Sequence, residues 1–344
     1  MTKHLVVHIG TGKTGSTAIQ NFCSSHSAKF QGLGFYYWGL NLEGSNSTDP
    51  FPWQSPAGTG KLQKLPPAEA AEQLQQALLN AVQQLPQGAT ALWSNESIYE
   101  RPNVYIPLLK SVAAQADLEI LVIAYARSHI GYVASAYKQW GIKHKTYRGQ
   151  VLGFRDWITT RQDFLSYGKR LALWDSAFSD RFRIVNYNST GDVVAHINQF
   201  LPATVAALHK TADLRVNASP PDCLLALYAL YNNQFEETVS PQAFKSLYQR
   251  LPLLKSFKGT AFPNLAKLYP SPDDLPQIKQ LMGKDASLVN AMLRRHGEPA
   301  LPESTELPPG PDPEKLGTEL LMQLMAVIAE QDARICHLEQ QLRA

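Results

Sequence analysis

The chain is poor in cysteine, nearly balanced in charge and without a long apolar run, and each shortage removes a class of explanation. Its three cysteines, Cys23, Cys223 and Cys336, are far apart, odd in number and without metal-ligand spacing. Neither a disulfide framework nor a metal centre is expected, and a reducing compartment is. A formal net charge of +3 is too small for wholesale nucleic-acid binding. The longest apolar run, residues 118–126, is about half of what a bilayer span needs. The first apolar run is shorter than a secretory leader requires. Together these features predict a cytoplasmic protein with no membrane span and no nucleic-acid partner. At 344 residues and 44% hydrophobic, the chain can fill the core of one large α/β domain or two smaller ones.

What is present is concentrated at the start. Lys3-His-Leu-Val-Val-His-Ile9 reads as a short buried strand, Gly10-Thr-Gly-Lys-Thr-Gly-Ser-Thr17 as a loop, and Ala18-Ile-Gln-Asn-Phe22 as a helix. Glycines let a backbone approach an anion closely, and successive N–H groups at a helix N-terminus supply partial positive charge. Lys13 adds a full charge; Thr14, Ser16 and Thr17 add hydroxyl donors. The ATP/GTP loop GxxxxGK[ST] is not met, because there the lysine follows the last glycine. Here Gly15 is followed by Ser16, and counting back from Gly12-Lys13 puts Val7 where a glycine is required. The lysine lies inside the loop, and an ordinary tight turn stays open as the alternative.

Further strands are predicted at Leu33–Trp38, Ala89–Trp93, Leu118–Tyr125 and Arg183–Tyr187. Helices are predicted from Pro67 to Leu85, Val104 to Ala114, Ile130 to Trp140, Lys169 to Phe178 and Asp192 to Leu201. Residues 41–61 are rich in Gly, Ser, Asn, Pro and Thr and read as a long irregular loop. The alternation predicts a doubly wound, mostly parallel α/β sheet, with ligands beyond the carboxyl ends of its strands. Lys13, Glu96 and Arg127 each follow a predicted strand, which assigns them to one edge. The domain reading is an α/β domain with a helical extension over 1–296, a linker with six prolines over 297–315, and a terminal amphipathic helix over 316–344. In that helix Leu321, Leu324, Ile328, Gln331, Ile335, Leu338 and Leu342 alternate by three and four. A coiled coil, with a second copy or another partner helix, and a helix docked on its own domain are both open.

Lys13-Thr14-Gly15-Ser16-Thr17 resembles the 5′-phosphosulfate loop of the sulfotransferases that use 3′-phosphoadenosine 5′-phosphosulfate (PAPS), a P-loop-related family often showing KxGTT. In that family an Arg at a strand end and a Ser eight positions later hold the 3′-phosphate; Arg127 and Ser135 stand at that spacing. Forked guanidinium donors completed by a hydroxyl suit a phosphate. Phe182–Tyr187 resembles a late strand of the family, and Arg215–Ser219 a loop before a helix in bacterial-type members. The resemblance covers about residues 3 to 235 and implies a bacterial-type soluble sulfotransferase. PAPS would be the co-substrate, without a metal, and the sulfuryl group would pass in line to a hydroxyl or amine of a glycan or other small acceptor. Gly12, Lys13, Thr14, Gly15, Ser16 and Thr17 would hold the 5′-phosphosulfate, with Lys13 neutralising the leaving phosphate. Arg127 and Ser135 would hold the 3′-phosphate.

The base stays open among Glu96, His8 and His129, since the family uses either a carboxylate or a histidine. Two other readings stay open. One is an ATP-dependent small-molecule kinase with an atypical P-loop, against which no Walker B acid follows an apolar strand. The other is a non-catalytic oligomerising scaffold. Residues 127–183 carry eleven Lys/Arg against four Asp and no Glu, which reads either as a solvated face or as attraction for a polyanion. Phe35–Trp38, Trp53 and Trp140 read as sugar-stacking groups or as core.

Overall fold

The computed structural model describes residues 2–58, 60–207, 222–244, 265–303, 306–307 and 312–343. Strands β1 (Lys3–His8), β2 (Phe35–Tyr37), β3 (Thr90–Ser94), β4 (Leu118–Ala126) and β5 (Phe182–Asn186) form one sheet in the order β2-β3-β1-β4-β5. Every pairing is parallel. β1 is central, and the chain reaches β2 and β3 on one side of it before crossing to β4 and β5 on the other. The fold is α/β, compatible with a doubly wound sheet, and all five predicted strands are present. The fragment Arg215–Ser219 lies outside the described residues.

The apolar continuity of β1 and β4 follows from burial on both faces. Leu5, Val6, Val7 and His8 are all buried, although alternate side chains point to opposite sides. On one side Val6, Ile123, Tyr125 and Val185 pack against Ile19, Phe22 and Cys23 of α1 (Ser16–Gln31) and against Val193, Val194 and Ile197 of the short helix Val193–Ile197. Each such fully buried side chain contributes about 1.5–3 kcal/mol by leaving water. α2 (Pro67–Gln84) begins with proline in its first turn, where no N–H is needed, and buries Leu74, Leu78 and Val82 on one stripe. α3 (Ser97–Glu100) and α4 (Pro102–Ala116) follow β3. α4 and the helix Gly168–Phe178 pack against β4, burying Leu109, Val112, Leu171 and Trp174.

Two predicted helices are interrupted. α5 (His129–Ala136) passes into a π-helical turn over Tyr137–Lys143. Gly141 there faces the Tyr137 ring so closely that a Cβ would lie 2.4 Å from it, and the wider turn accommodates the buried Tyr137 and Trp157. The helix predicted to reach Leu201 stops at Ile197 and becomes a 3₁₀ turn, Asn198–Phe200. Pro202 follows and disfavours helical geometry at Leu201.

The chain divides into two compact units, each assembled from separated segments: Met1–Ser128, Ser166–Asn217 and Lys284–Glu303 in the first, His129–Leu165, Ala218–Gly283 and Ser304–Ala344 in the second. In the first, the Asn186 backbone N–H donates to the Glu298 carboxylate at 3.1 Å, and its side-chain amide donates to the carbonyls of Pro299 and Ala300. The start of the proline-rich stretch is thereby tied to the end of β5. In the second, the terminal helix Pro313–Arg343 packs on the helix Asp222–Asn232, with Leu316 and Val327 buried.

Among the described residues, four of the eleven Lys and Arg residues of the basic segment form ion pairs, each within its own unit. Arg181 meets Glu119 at 3.0 Å in the first unit. In the second, Lys138 meets Asp222, Arg148 meets Glu237 and Arg155 meets Asp274. Phe35, Trp38 and Trp53 are core residues, and Trp140 packs edge-on to Phe164. No helix among the described residues is long and apolar enough to cross a membrane.

Candidate functional site

The loop between β1 and α1 alternates between ordinary and left-handed backbone, with φ of 50° at Gly10, 68° at Gly12, 58° at Lys13 and 82° at Gly15. Glycine adopts this region without penalty, whereas a lysine there costs about 1–2 kcal/mol. Alternation of this kind turns backbone N–H groups toward one side as a concave anion-binding surface. α1 starts at Ser16 with Gly15 as its cap, no side-chain capping bond and no acidic residue in its first turn. Its N-terminal partial charge is therefore not answered by a carboxylate of its own. Thr11 is taken up structurally, its hydroxyl donating to the Tyr125 carbonyl at 2.6 Å. The hydroxyls of Thr14 and Ser16 are buried and have no hydrogen-bond partner among the described residues. Thr17 is exposed on the first turn of α1.

Arg127, one residue past β4, reaches this loop. Its Nη1 donates to the Lys13 carbonyl at 3.1 Å, so the strand-end arginine and the loop lysine are in direct contact. The guanidinium also lies 5.8 Å from the centre of the Tyr187 ring. Four further residues set this corner. The buried Tyr167 hydroxyl donates to the Arg127 carbonyl, and the Asn188 side chain accepts from the Ser128 N–H at 2.9 Å. Tyr187 and Val193 wall the other side, since a Cβ on Gly15 would sit 3.5 Å from the Tyr187 ring and 2.7 Å from Val193. Gly15 is required on both counts, by its φ and by this contact.

The acid–base candidates meet at Gly10. A Cβ on Gly10 would lie 2.9 Å from the Ser16 hydroxyl, 3.2 Å from Glu96 Cγ and 3.7 Å from His8 Cε1. Glu96 is half-buried and makes no capping bond to α3. The capping is done by Asn95, whose side-chain oxygen accepts from the Ser97 N–H and hydroxyl. The bland role for Glu96, capping the next turn, is thus already filled by its neighbour. His8 is fully buried, with Nδ1 2.8 Å from the Ser94 hydroxyl and Nε2 without a partner among the described residues. Burial lowers its pKa from 6.5 to about 4, so the ring is neutral at physiological pH.

The first unit therefore brings His8, Gly10, Gly12, Lys13, Thr14, Gly15, Ser16, Glu96 and Arg127 to one strand-end corner. Ser135, half-buried on α5, and His129, buried at the start of that helix, belong to the second unit. A cavity of about 270 Å³ at the opposite, amino edge of the sheet is lined by His4, Thr90, Glu119, Arg181 and Phe200. Its charges are already paired, Glu119 with Arg181 at 3.0 Å and with His4 at 3.5 Å, and α/β sheets bind ligands at the other edge. No group of three or more metal-ligating side chains occurs among the described residues. No family model, no curated protein and no solved structure matches the chain.

Proposed function

We propose that the chain is a PAPS-dependent sulfotransferase that modifies a hydroxyl or amine of a glycan or other small acceptor. The observation that carries this reading is the contact of Arg127 with the Lys13 carbonyl across a partly left-handed loop whose Thr14 and Ser16 hydroxyls are buried without partners among the described residues. A P-loop with its lysine after the last glycine would serve ATP; an interior lysine beside a strand-end arginine suits two separate phosphates on one ligand. Orphaned buried hydroxyls, worth about 1–3 kcal/mol each when left unpaired, fit a site that completes its hydrogen bonds on an anion.

PAPS, when bound, supplies an activated sulfuryl group. The Thr14, Ser16 and loop N–H groups bind and orient the 5′ end, and the Lys13 ammonium offsets charge on the departing phosphate. Arg127 binds the 3′-phosphate. Glu96 takes the acceptor proton at its carboxylate in this reading, because it is half-buried at Gly10 whereas His8 is wholly enclosed. His8, kept neutral, lines the floor of the site without adding positive charge that would compete for that carboxylate.

Mass-detected sulfate transfer from PAPS across a panel of glycans, phenols and lipids is the direct test. Transfer to any member without added magnesium upholds the reading. Phosphate transfer from ATP with magnesium would replace it with a kinase, and no transfer from either donor would favour a scaffold.

A further inference from the structure

The terminal helix is apolar on more of its circumference than its own unit covers. Leu316 and Val327 are buried against that unit, yet Leu321, Ile328, Ile335 and Leu338 are 63%, 54%, 54% and 57% exposed. Met322 and Met325 beside them are exposed too. Among the described residues the buried positions of this helix lie in its first half, and the described side chains from Asp332 to Gln341 are exposed. We propose that this outer half is the seam of a parallel two-stranded coiled coil formed with a second copy of the same chain.

Residue identity argues for two strands. With Leu321 at heptad position a, the a positions are Leu321, Ile328, Ile335 and Leu342, and the d positions are Leu324, Gln331 and Leu338. Ile at a with Leu at d is the combination that favours parallel dimers over higher orders. Gln331, the one polar d residue, would meet its own copy across the axis, where two amides satisfy each other only in register. Such a residue lowers stability and fixes alignment.

Charge argues for the parallel direction. The e positions carry Met325, Asp332 and Glu339, and the g positions Val327, Arg334 and Gln341. In a parallel pair each g residue faces the e residue five positions further along the other chain, which sets Arg334 against Glu339 of the second copy, twice by symmetry. An antiparallel pair would set e against e, acid on acid. Neither Arg334 nor Glu339 has an ion-pair partner within the chain among the described residues, and both are exposed. Docking of the first half already orders the base of the helix, which reduces what association must order at the seam.

The test uses the full chain, with mass by light scattering and dissociation by sedimentation equilibrium over a concentration series. A concentration-dependent dimer is expected. Ile335→Glu with Leu338→Glu is expected to weaken it at least about a hundredfold, with the thermal midpoint of the rest of the protein unchanged because both side chains are exposed. Arg334→Glu and Glu339→Arg are each expected to weaken it about threefold to tenfold, and the double reversal to restore it within about twofold. A monomer at all concentrations, a trimer or tetramer, or a dimer indifferent to the two glutamates would overturn the proposal. Single reversals without effect, or a double reversal no better than the singles, would overturn the parallel register.

Discussion

Gly15 carries two constraints at once, a φ of 82° and a wall 2.7 Å from where a Cβ would stand. Gly15→Ala is expected to lower stability by about 1–3 kcal/mol, read as a lower thermal midpoint, and to weaken anion binding as the loop shifts off Val193. Glu96→Gln is expected to cut turnover about a hundredfold or more while leaving binding of PAP, the desulfated product, intact; unchanged kcat would remove Glu96 as the base. His8 makes a different prediction. Its pKa is about 4 folded and near 6.5 unfolded, so between those values the unfolded chain holds the extra proton and folding stability rises with pH. Urea unfolding at pH 5 and pH 7 should differ by about 2 kcal/mol on this account, and His8→Gln should remove that share of the difference. At this scale Lys13, Glu96 and Arg127 were legible because each closely follows a readable strand. Ser94, Tyr167, Tyr187 and Asn188 were not, since their roles arise where segments far apart in sequence converge.

The strands could be read from continuous apolar runs, because a parallel strand covered on both faces has no polar side to show. The helices were legible in position and less so in continuity. The π-helical turn after Ala136 follows from Gly141 sitting under Tyr137, and the early end of Val193–Ile197 from Pro202, both tertiary or local effects that apolar periodicity does not register. That short helix matters because Val193 walls the loop between β1 and α1 at Gly15. Asp192 caps it, accepting from Val194 and Ala195 N–H at 2.8 and 3.2 Å. Asp192→Ala is expected to cost about 1 kcal/mol in chemical unfolding and to loosen the loop's wall; an unaltered midpoint would show the cap to be idle.

For the whole molecule the contacts group the chain into two units built from interleaved segments. A linear reading cannot see this, because compactness depends on which distant segments meet. Lys145 illustrates the difficulty. In Ile142-Lys-His-Lys145 it looks like surface charge, yet it is fully buried with its ammonium donating to the carbonyls of Gly149 and Phe235, and burial lowers its pKa. The basic excess after Arg127 is similarly deceptive, since its partners lie in other parts of the chain. The proposed clamp, in which the loop and Arg127 together hold a ligand with two phosphates, is tested by titration calorimetry with PAP in the presence of a chelator. Binding without magnesium, weakened at least about tenfold by Lys13→Ala and again by Arg127→Ala, is the expected result; no heat of binding, or affinity indifferent to both substitutions, would contradict it.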